Sequence, residues 1–528
     1  MGSFMIAQVV FDLPLEGPFD YLVPPILENK IAVGASVQVL LGFKKRIGLV
    51  TALEDKSAFD NLKPVKVLVD KNPVLDRAQM DLAAEFSRYY GCSLGEALFS
   101  IVRGCGKQDI VGNVVRKNSL KTLHFVPSGN YSKALTSLIA PVAKEKQRTL
   151  ILVPDQFIAS RIEEILQQHA LLEYCVVGNR SLVFRSWADI ALTVMMDEDN
   201  PSFKQEQTPM YETRDVLLMR ARREKMNVAF ISTTPSVEMM DLVGKGDVHI
   251  KKYPTEDLVK PQAIDLNNYK TPSRWFLSPA VESSIRENLS QKKSSIVVVN
   301  HQQGVEELQK MLKSMFPLAK VRIFKRGLAL LGGHDILIAT SALLRFERQL
   351  QAGLVALLDI DGEFNRLDMR SCFRTWSLAW HLRSMAKAKF LIQTRQRDHY
   401  VIQSLMQDDA DIFYHQDMSI RRELGLCPFG HQIAIELRSG AQKPVVQKAQ
   451  KIYEALAQRK LSGELVEPSK DVLVHPPIEK TVTQKRVQYR LNILMQGQDV
   501  VAMIALIKET LAQTKRAGKV IITLNVDP

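Results

Sequence analysis

FVPSGNYSKAL, Phe125 to Leu135, leaves an apolar segment through Pro-Ser-Gly and enters a stretch with helical spacing. That is the outline of a phosphate-binding loop, in which backbone N–H groups and a helix N-terminus face an anion. A working loop of this type closes on Lys and Ser or Thr, the first neutralising the outer phosphate oxygens and the second holding magnesium. Here Ser128 and Gly129 are followed by Asn130 in the Lys place and Tyr131 in the hydroxyl place, and Lys133 comes two residues late. The stretch keeps the backbone pattern of a nucleotide site and loses its charges.

Outward from this loop, short β-rich apolar runs alternate with helical stretches. RTLILVPD precedes QFIASRIEEILQQHA, NVAFISTTP follows, and SSIVVVNHQQG precedes VEELQKMLKSMF. This is the rhythm of parallel α/β layers. The polar, Pro-containing segment YPTEDLVKPQAIDLNNYKTPSRW separates two such blocks, which gives two lobes, the second continuing through DILIATSA and GLVALLDID. The first hundred residues instead alternate apolar and polar positions, as in IAQVVFDLPL and ASVQVLLGFKKRIGLVTAL, and predict a small β domain closed by an amphipathic helix over Asp76–Gly91. The last hundred read strand, helix, strand, strand, helix, strand, the ferredoxin-like order. The expected architecture is thus multidomain α/β: a β-rich domain over 1–105, lobes over 106–265 and 266–420, and a ferredoxin-like α+β domain over 421–528.

Bulk properties agree. At 528 residues the chain exceeds a single ordinary core. Its net charge of +13 favours a polyanionic partner, nucleic acid foremost. No apolar run approaches the ~20 residues of a bilayer span, and no signal-peptide layout precedes the β domain, so a cytoplasmic protein is expected. Five cysteines, Cys92, Cys105, Cys175, Cys372 and Cys427, form no CxxC pair and suggest neither a disulfide framework nor a zinc module.

Several dispersed stretches, in order, carry a resemblance. LPLEGPFDYLVP, VGASVQVLLGFKKRIGLV and YYGCSLGEAL are followed by LVPDQ, FKQEQTPMYETRDV, STTPSVE, LDIDGEFNRLDMRSCFRTW, RRELGLCPFG and the final NVDP. Together they resemble the primosomal protein N′ family, the PriA replication-restart helicases. The resemblance implies a 3′ DNA-binding domain followed by two RecA-like helicase lobes. It also implies that the motor parts are degenerate here. Alignment on Lys204, Gln205 and Glu206 sets Met196 where the family has the metal-supporting carboxylate and Asp197 where it has the water-orienting Glu, and MMDED then reads as a solvated acidic turn. The family's Gly-Arg-Ala-Gly-Arg finger is shortened to AWHLRSMAKAKFLIQT, with Arg383 as a remnant, and the zinc-binding cysteine clusters are missing altogether. A short link near Gly106 to Lys121 stands where relatives insert a winged helix. No catalytic residue, ATP, magnesium or zinc is expected.

What the resemblance leaves able to act is binding. Phe19, Asp20 and Tyr21 occupy the family's pocket for a 3′ end, where a carboxylate can accept from a terminal hydroxyl and rings can stack on a base. On spacing alone Phe19 and Tyr21 read equally as strand residues of a β core. Lys44, Lys45 and Arg46 lie in an expected hairpin between Gly42 and Gly48, and Lys63 and Lys66 flank the same groove; solvated turns are the alternative. The expected partners are forked or single-stranded DNA with a 3′ end, with single-strand-binding protein and other primosome proteins at the C-terminal domain, for a monomeric chain that meets no membrane. Two other classes remain open: an active, divergent 3′–5′ helicase, if Lys133 and the carboxylates of 197–199 converge, and a protein–protein adaptor.

Overall fold

The computed structural model describes residues 5–70, 73–105, 119–185, 189–254, 258–270, 277–299, 304–324, 333–346, 350–358, 360–364, 366, 368–461, 472–479, 489–514 and 520–528. Most of the expected link at 106–121 lies outside them.

Four sheets organise the chain. The first is antiparallel, built from β1 (Ile6–Val10), β2 (Phe19–Leu22), β3 (Ser36–Leu41), β4 (Lys44–Glu54) and β5 (Val67–Leu68) in the order β2-β1-β4-β3-β5. Its alternating sequence buries Ala7, Val9, Val37, Val39 and Val50 on one face. The second and third sheets are all-parallel. One runs β11-β6-β10-β9-β7-β8, from β6 (Lys121–Phe125), β7 (Arg148–Leu152), β8 (Cys175–Gly178), β9 (Ile190–Met196), β10 (Asn227–Ser232) and β11 (His249–Lys252). The other runs β12-β17-β16-β13-β15-β14, from β12 (Pro261–Asp265), β13 (Ser295–Val298), β14 (Val321–Ile323), β15 (Ile336–Ala339), β16 (Ala352–Leu357) and β17 (Ala386–Thr394). Their central strands are near-continuous apolar runs because helices cover both faces. In such sheets the loops leaving the C-terminal strand ends carry the chemistry. The loops after β6, β9 and β10 share that edge in the second sheet.

The fourth sheet is antiparallel: β18 (His431–Ser439), β19 (Leu473–Val474), β20 (Ile478–Glu479), β21 (Tyr489–Gly497) and β22 (Ile521–Val526). Its order β19-β21-β18-β22, with helices Gln442–Leu461 and Val500–Gln513 between strands, is the split βαβ topology that the strand–helix order predicts.

The helix expected over Asp76–Gly91 forms as Arg77–Tyr90. Asp76 accepts from the Gln79 N–H while the Gln79 side chain accepts from the Asp76 N–H, and Gly91 ends the helix at φ 69°. These are a capping box and a left-handed stop that only glycine adopts cheaply. The helix also packs beyond the β domain. Phe86 packs on Phe184 and Tyr211, and a Cβ on Gly91 would meet Leu524 at 2.8 Å, so it joins the second and fourth sheets in one core.

The Leu94–Cys105 helix fixes the β domain against this core through Gly95, where a Cβ would stand 1.8 Å from the Phe11 carbonyl oxygen. Gly95→Ala is expected to force that helix off β1 and lower stability by about 1–3 kcal/mol, the usual range for overpacking. An unchanged melting midpoint would show that the two segments part without cost.

Candidate functional site

The loop after β6 turns at Gly129, φ 63°, and delivers Tyr131 to the start of the Ser132–Lys144 helix. Tyr131 is 1% exposed. Its hydroxyl donates to the Asp197 carboxylate, 2.7 and 2.9 Å from the two oxygens, and lies 2.9 Å from Thr233 Oγ1. With its one proton directed to Asp197, the phenol oxygen accepts from Thr233. Asp197 holds φ 45°, and its N–H donates to the Ile231 carbonyl at 2.7 Å. The guanidinium of Arg161 lies 5.1 Å from the Tyr131 ring centre and donates to the Gly129 carbonyl at 3.1 Å. One aromatic side chain thus ties together the loops after β6, β9 and β10. Ser128 gives its hydroxyl to the Asn130 N–H at 3.3 Å, and Asn130 itself is exposed. Met196 is fully buried at the end of β9.

The acidic turn after β9 corrects one expectation: it is solvated only in part, since Asp197 and Asp199 are half-buried and Glu198 is buried outright. Glu198 is 1% exposed, accepts from Arg214 at 3.1 Å and from the Ser236 N–H at 2.7 Å, and burial pushes its carboxyl upward. Burial, then the charges of Glu198 and Asp197, push Asp199 up to about 8. Lys133 is exposed on its helix and Lys204 donates to the Val526 carbonyl at 2.7 Å. Arg383, expected as a finger remnant, is buried, ion-paired with Asp408, and donates to the Val259 carbonyl at 2.7 Å.

Across the same edge the two parallel sheets meet closely. Thr234 and Ser377 hydroxyls are 2.8 Å apart, Trp380 donates to the Pro127 carbonyl at 3.3 Å, and Tyr414 to the Pro235 carbonyl at 2.6 Å. Val237, between β10 and β11, is buried in the core of the other lobe. Glu238 beside it faces Arg370 at 3.3 Å, Arg421 at 3.6 Å and Arg214 at 3.9 Å. Burial would raise its carboxyl, but the three arginines outweigh burial and hold it at about 2.

In the first sheet, Phe19, Asp20 and Tyr21 lie along β2. Asp20 accepts from Ser57 Oγ at 2.5 Å and from Gln8 Nε2 at 3.5 Å. Tyr21 is 4% exposed, and its hydroxyl donates to the Leu40 carbonyl at 3.1 Å, so its ring belongs to the core and offers no open face for stacking. Phe19 is half-buried against Phe11, ring centres 5.8 Å apart. Lys44, Lys45 and Arg46 are exposed at the start of β4, in the hairpin expected. Lys63 is exposed and donates to the Gly42 carbonyl at 2.6 Å, while its own carbonyl accepts from the Leu22 N–H at 3.0 Å. Lys63 thus joins the hairpin to β2, the strand of Asp20, and the domain carries a hydrogen-bond acceptor on that strand and exposed cations on the hairpin. Sequence reasoning missed Ser57, which shares Asp20, and Phe43 at the hairpin tip, 103% exposed.

The family described as the 3′ DNA-binding domain of PriA matches residues 8–103. Replication restart protein PriA of Rickettsia conorii is 20% identical, the match covering 93% of this chain and 94% of that protein. The PriA of Treponema pallidum is 19% identical over 99% of both chains, and that of Helicobacter pylori J99 is 22% identical over 97% and 99%. The chain is PriA-like along its whole length, at low identity. Among solved structures, S. cerevisiae dbp5 bound to nup159, gle1, IP6 and ADP is 13% identical with a TM-score of 0.34, covering 62% of this chain and 98% of that one, too slight a likeness to bear on the fold.

Tyr131→Phe removes the donor that Asp197 accepts inside a buried site and is expected to cost about 1–3 kcal/mol in urea unfolding; an unaltered midpoint would mean the hydroxyl is idle. Glu238 sits below the 4.5 of a free carboxyl, so its stabilisation is complete above that value and lost as pH falls toward about 2. Glu238→Gln is expected to weaken the fold at pH 7 and to flatten this acid limb. An acid limb as steep as that of the unsubstituted protein would remove Glu238 from the pH response.

Proposed function

We propose that this PriA-like chain is a DNA-binding factor of replication restart that recognises 3′ ends at stalled forks and serves as a scaffold without hydrolysing ATP. The observation that carries the second half is Tyr131: its hydroxyl occupies Asp197, the carboxylate nearest the place of a water-orienting residue, and Thr233, while the loop offers an exposed amide at Asn130 instead of a cation. Phosphoryl transfer depends on cations and magnesium placed around the transferred group, and removing one such contribution alone costs orders of magnitude in rate. The parallel sheets are RecA-like lobes in this reading, retained as a core. Their contacts through Glu238 and Thr234 suit a fixed spacer better than a device that opens and closes at each turnover.

The binding half rests on the first domain. Asp20 accepts a hydrogen bond from a terminal 3′-hydroxyl and repels a 3′-phosphate, while Lys44, Lys45, Arg46 and Lys63 hold backbone phosphates. Single-strand-binding protein and other primosome proteins are the proposed protein partners, the chain is a monomer in the nucleoid, and neither ATP, magnesium nor zinc is a cofactor.

A fork ending in a 3′-hydroxyl should bind roughly tenfold tighter than one ending in a 3′-phosphate, as expected for a charged hydrogen bond gained against a repulsion. Asp20→Ala should erase the difference, and equal binding of the two forks by the unsubstituted protein would refute end recognition. In a DNA-stimulated hydrolysis assay no turnover above background is expected. Turnover that Lys133→Ala abolishes would instead establish the divergent helicase.

A further inference from the structure

Resting on the end-binding reading above, we infer that Phe43 is the stacking platform for a nucleobase within the last two nucleotides of the bound 3′ strand. The two-residue connection between Leu41 and Lys44, which pair as the last residue of β3 and the first of β4, consists of Gly42 and Phe43 alone. Gly42 takes φ 60°, and nothing lies within 4 Å of the Cβ it lacks, so the tip projects into open space. Phe43 is 103% exposed, a whole phenyl ring left in water at the hairpin tip. Single exposed apolar residues are ordinary. This one differs in its surroundings.

Lys63 Nζ lies 5.9 Å from the Phe43 ring centre while donating to the Gly42 carbonyl at 2.6 Å, so one cation covers the ring and secures the turn beneath it. Lys44, Lys45 and Arg46 follow directly, all exposed. An aromatic face set among four cations matches a strand that alternates flat bases with phosphates, and such a face accepts any base. An acid-rich protein partner would use the cations but not the ring face. Lys63 also accepts at its carbonyl from the Leu22 N–H on β2, the strand that carries Asp20 two residues earlier, so one residue joins the tip to that strand. Stacking then falls to Phe43, because Tyr21 is buried and Phe19 is half-covered by Phe11.

The test is fluorescence anisotropy of the full chain with a 3′-hydroxyl oligonucleotide. Phe43→Ala is expected to weaken binding about five- to hundredfold, Phe43→Leu by nearly as much, and Phe43→Trp not at all. An abasic site in one of the last two nucleotides should weaken the unsubstituted protein and leave Phe43→Ala unaffected, and 2-aminopurine at that position should be quenched only when residue 43 is aromatic. The tip has no packing to lose, so melting midpoints should coincide. Wild-type affinity in Phe43→Ala, or in Phe43→Leu, overturns the inference. If 3′-hydroxyl and 3′-phosphate strands are still distinguished in that case, only stacking fails and end reading stands. If the two strands bind alike while base loss still matters only with an aromatic at 43, end reading fails and stacking stands.

Discussion

A single phenolic hydroxyl governs the middle of this molecule. Tyr131 reaches Asp197, sixty-six positions along the chain, and Thr233, a further stage of the same sheet edge, so one side chain touches all three loops. In a nucleotide site this space must stay polar, hydrated and open to a metal with its phosphates. Here the Tyr131 ring stands at that edge, with Arg161 laid against its face, beside a cavity lined by Asp197, Asp199 and His381. The neighbouring carboxylates follow the same logic. Cut off from water, Glu198 turns to Arg214 and Ser236, and Asp199 holds its proton into the alkaline range. The carboxylates at this strand end act as internal fastenings.

The second constraint is the buried charge at Glu238. Removing a carboxylate and guanidinium groups from water is costly, and replacing such clusters with apolar side chains often stabilises a protein. What the cluster supplies is geometry: a carboxylate facing arginines from both lobes tolerates only a narrow range of lobe positions. Val237 adds an apolar plug beside it, entering the neighbouring core at full burial. Together they fasten the two lobes to each other.

Elements governed by local rules were legible in the sequence. The Asp76 cap and Gly91 stop mark a helix to the residue, Gly42 with its flanking alternation marks the hairpin, and the terminal strand–helix order yields the split βαβ sheet. The PriA resemblance was carried by dispersed motifs and is matched by relatives along the chain. Long-range partners were not legible. An amphipathic face does not name what it packs against, so nothing in the Arg77–Tyr90 stretch showed that this helix also joins three sheets in one core. Glu198 looked solvated because its partners, Arg214 and Ser236, stand in other elements. Tyr21 shows the limit of a period-2 pattern, which assigns alternate residues to opposite faces without saying which face meets water. Phe43 carries no periodic signal, since it is one residue in a turn.

The joint formed by the Arg77–Tyr90 helix has a consequence for how the protein is made. Its core holds Val10, Phe86 and Phe184 together with Ile504 and Val526, residues from both extremes of the chain. A ribosome releases the early members long before the late ones exist, so the apolar side of this helix waits uncovered through most of translation. Such surfaces are where holding chaperones act and where nascent chains aggregate. The native core around this helix is therefore complete only once β22, its last member, has been made.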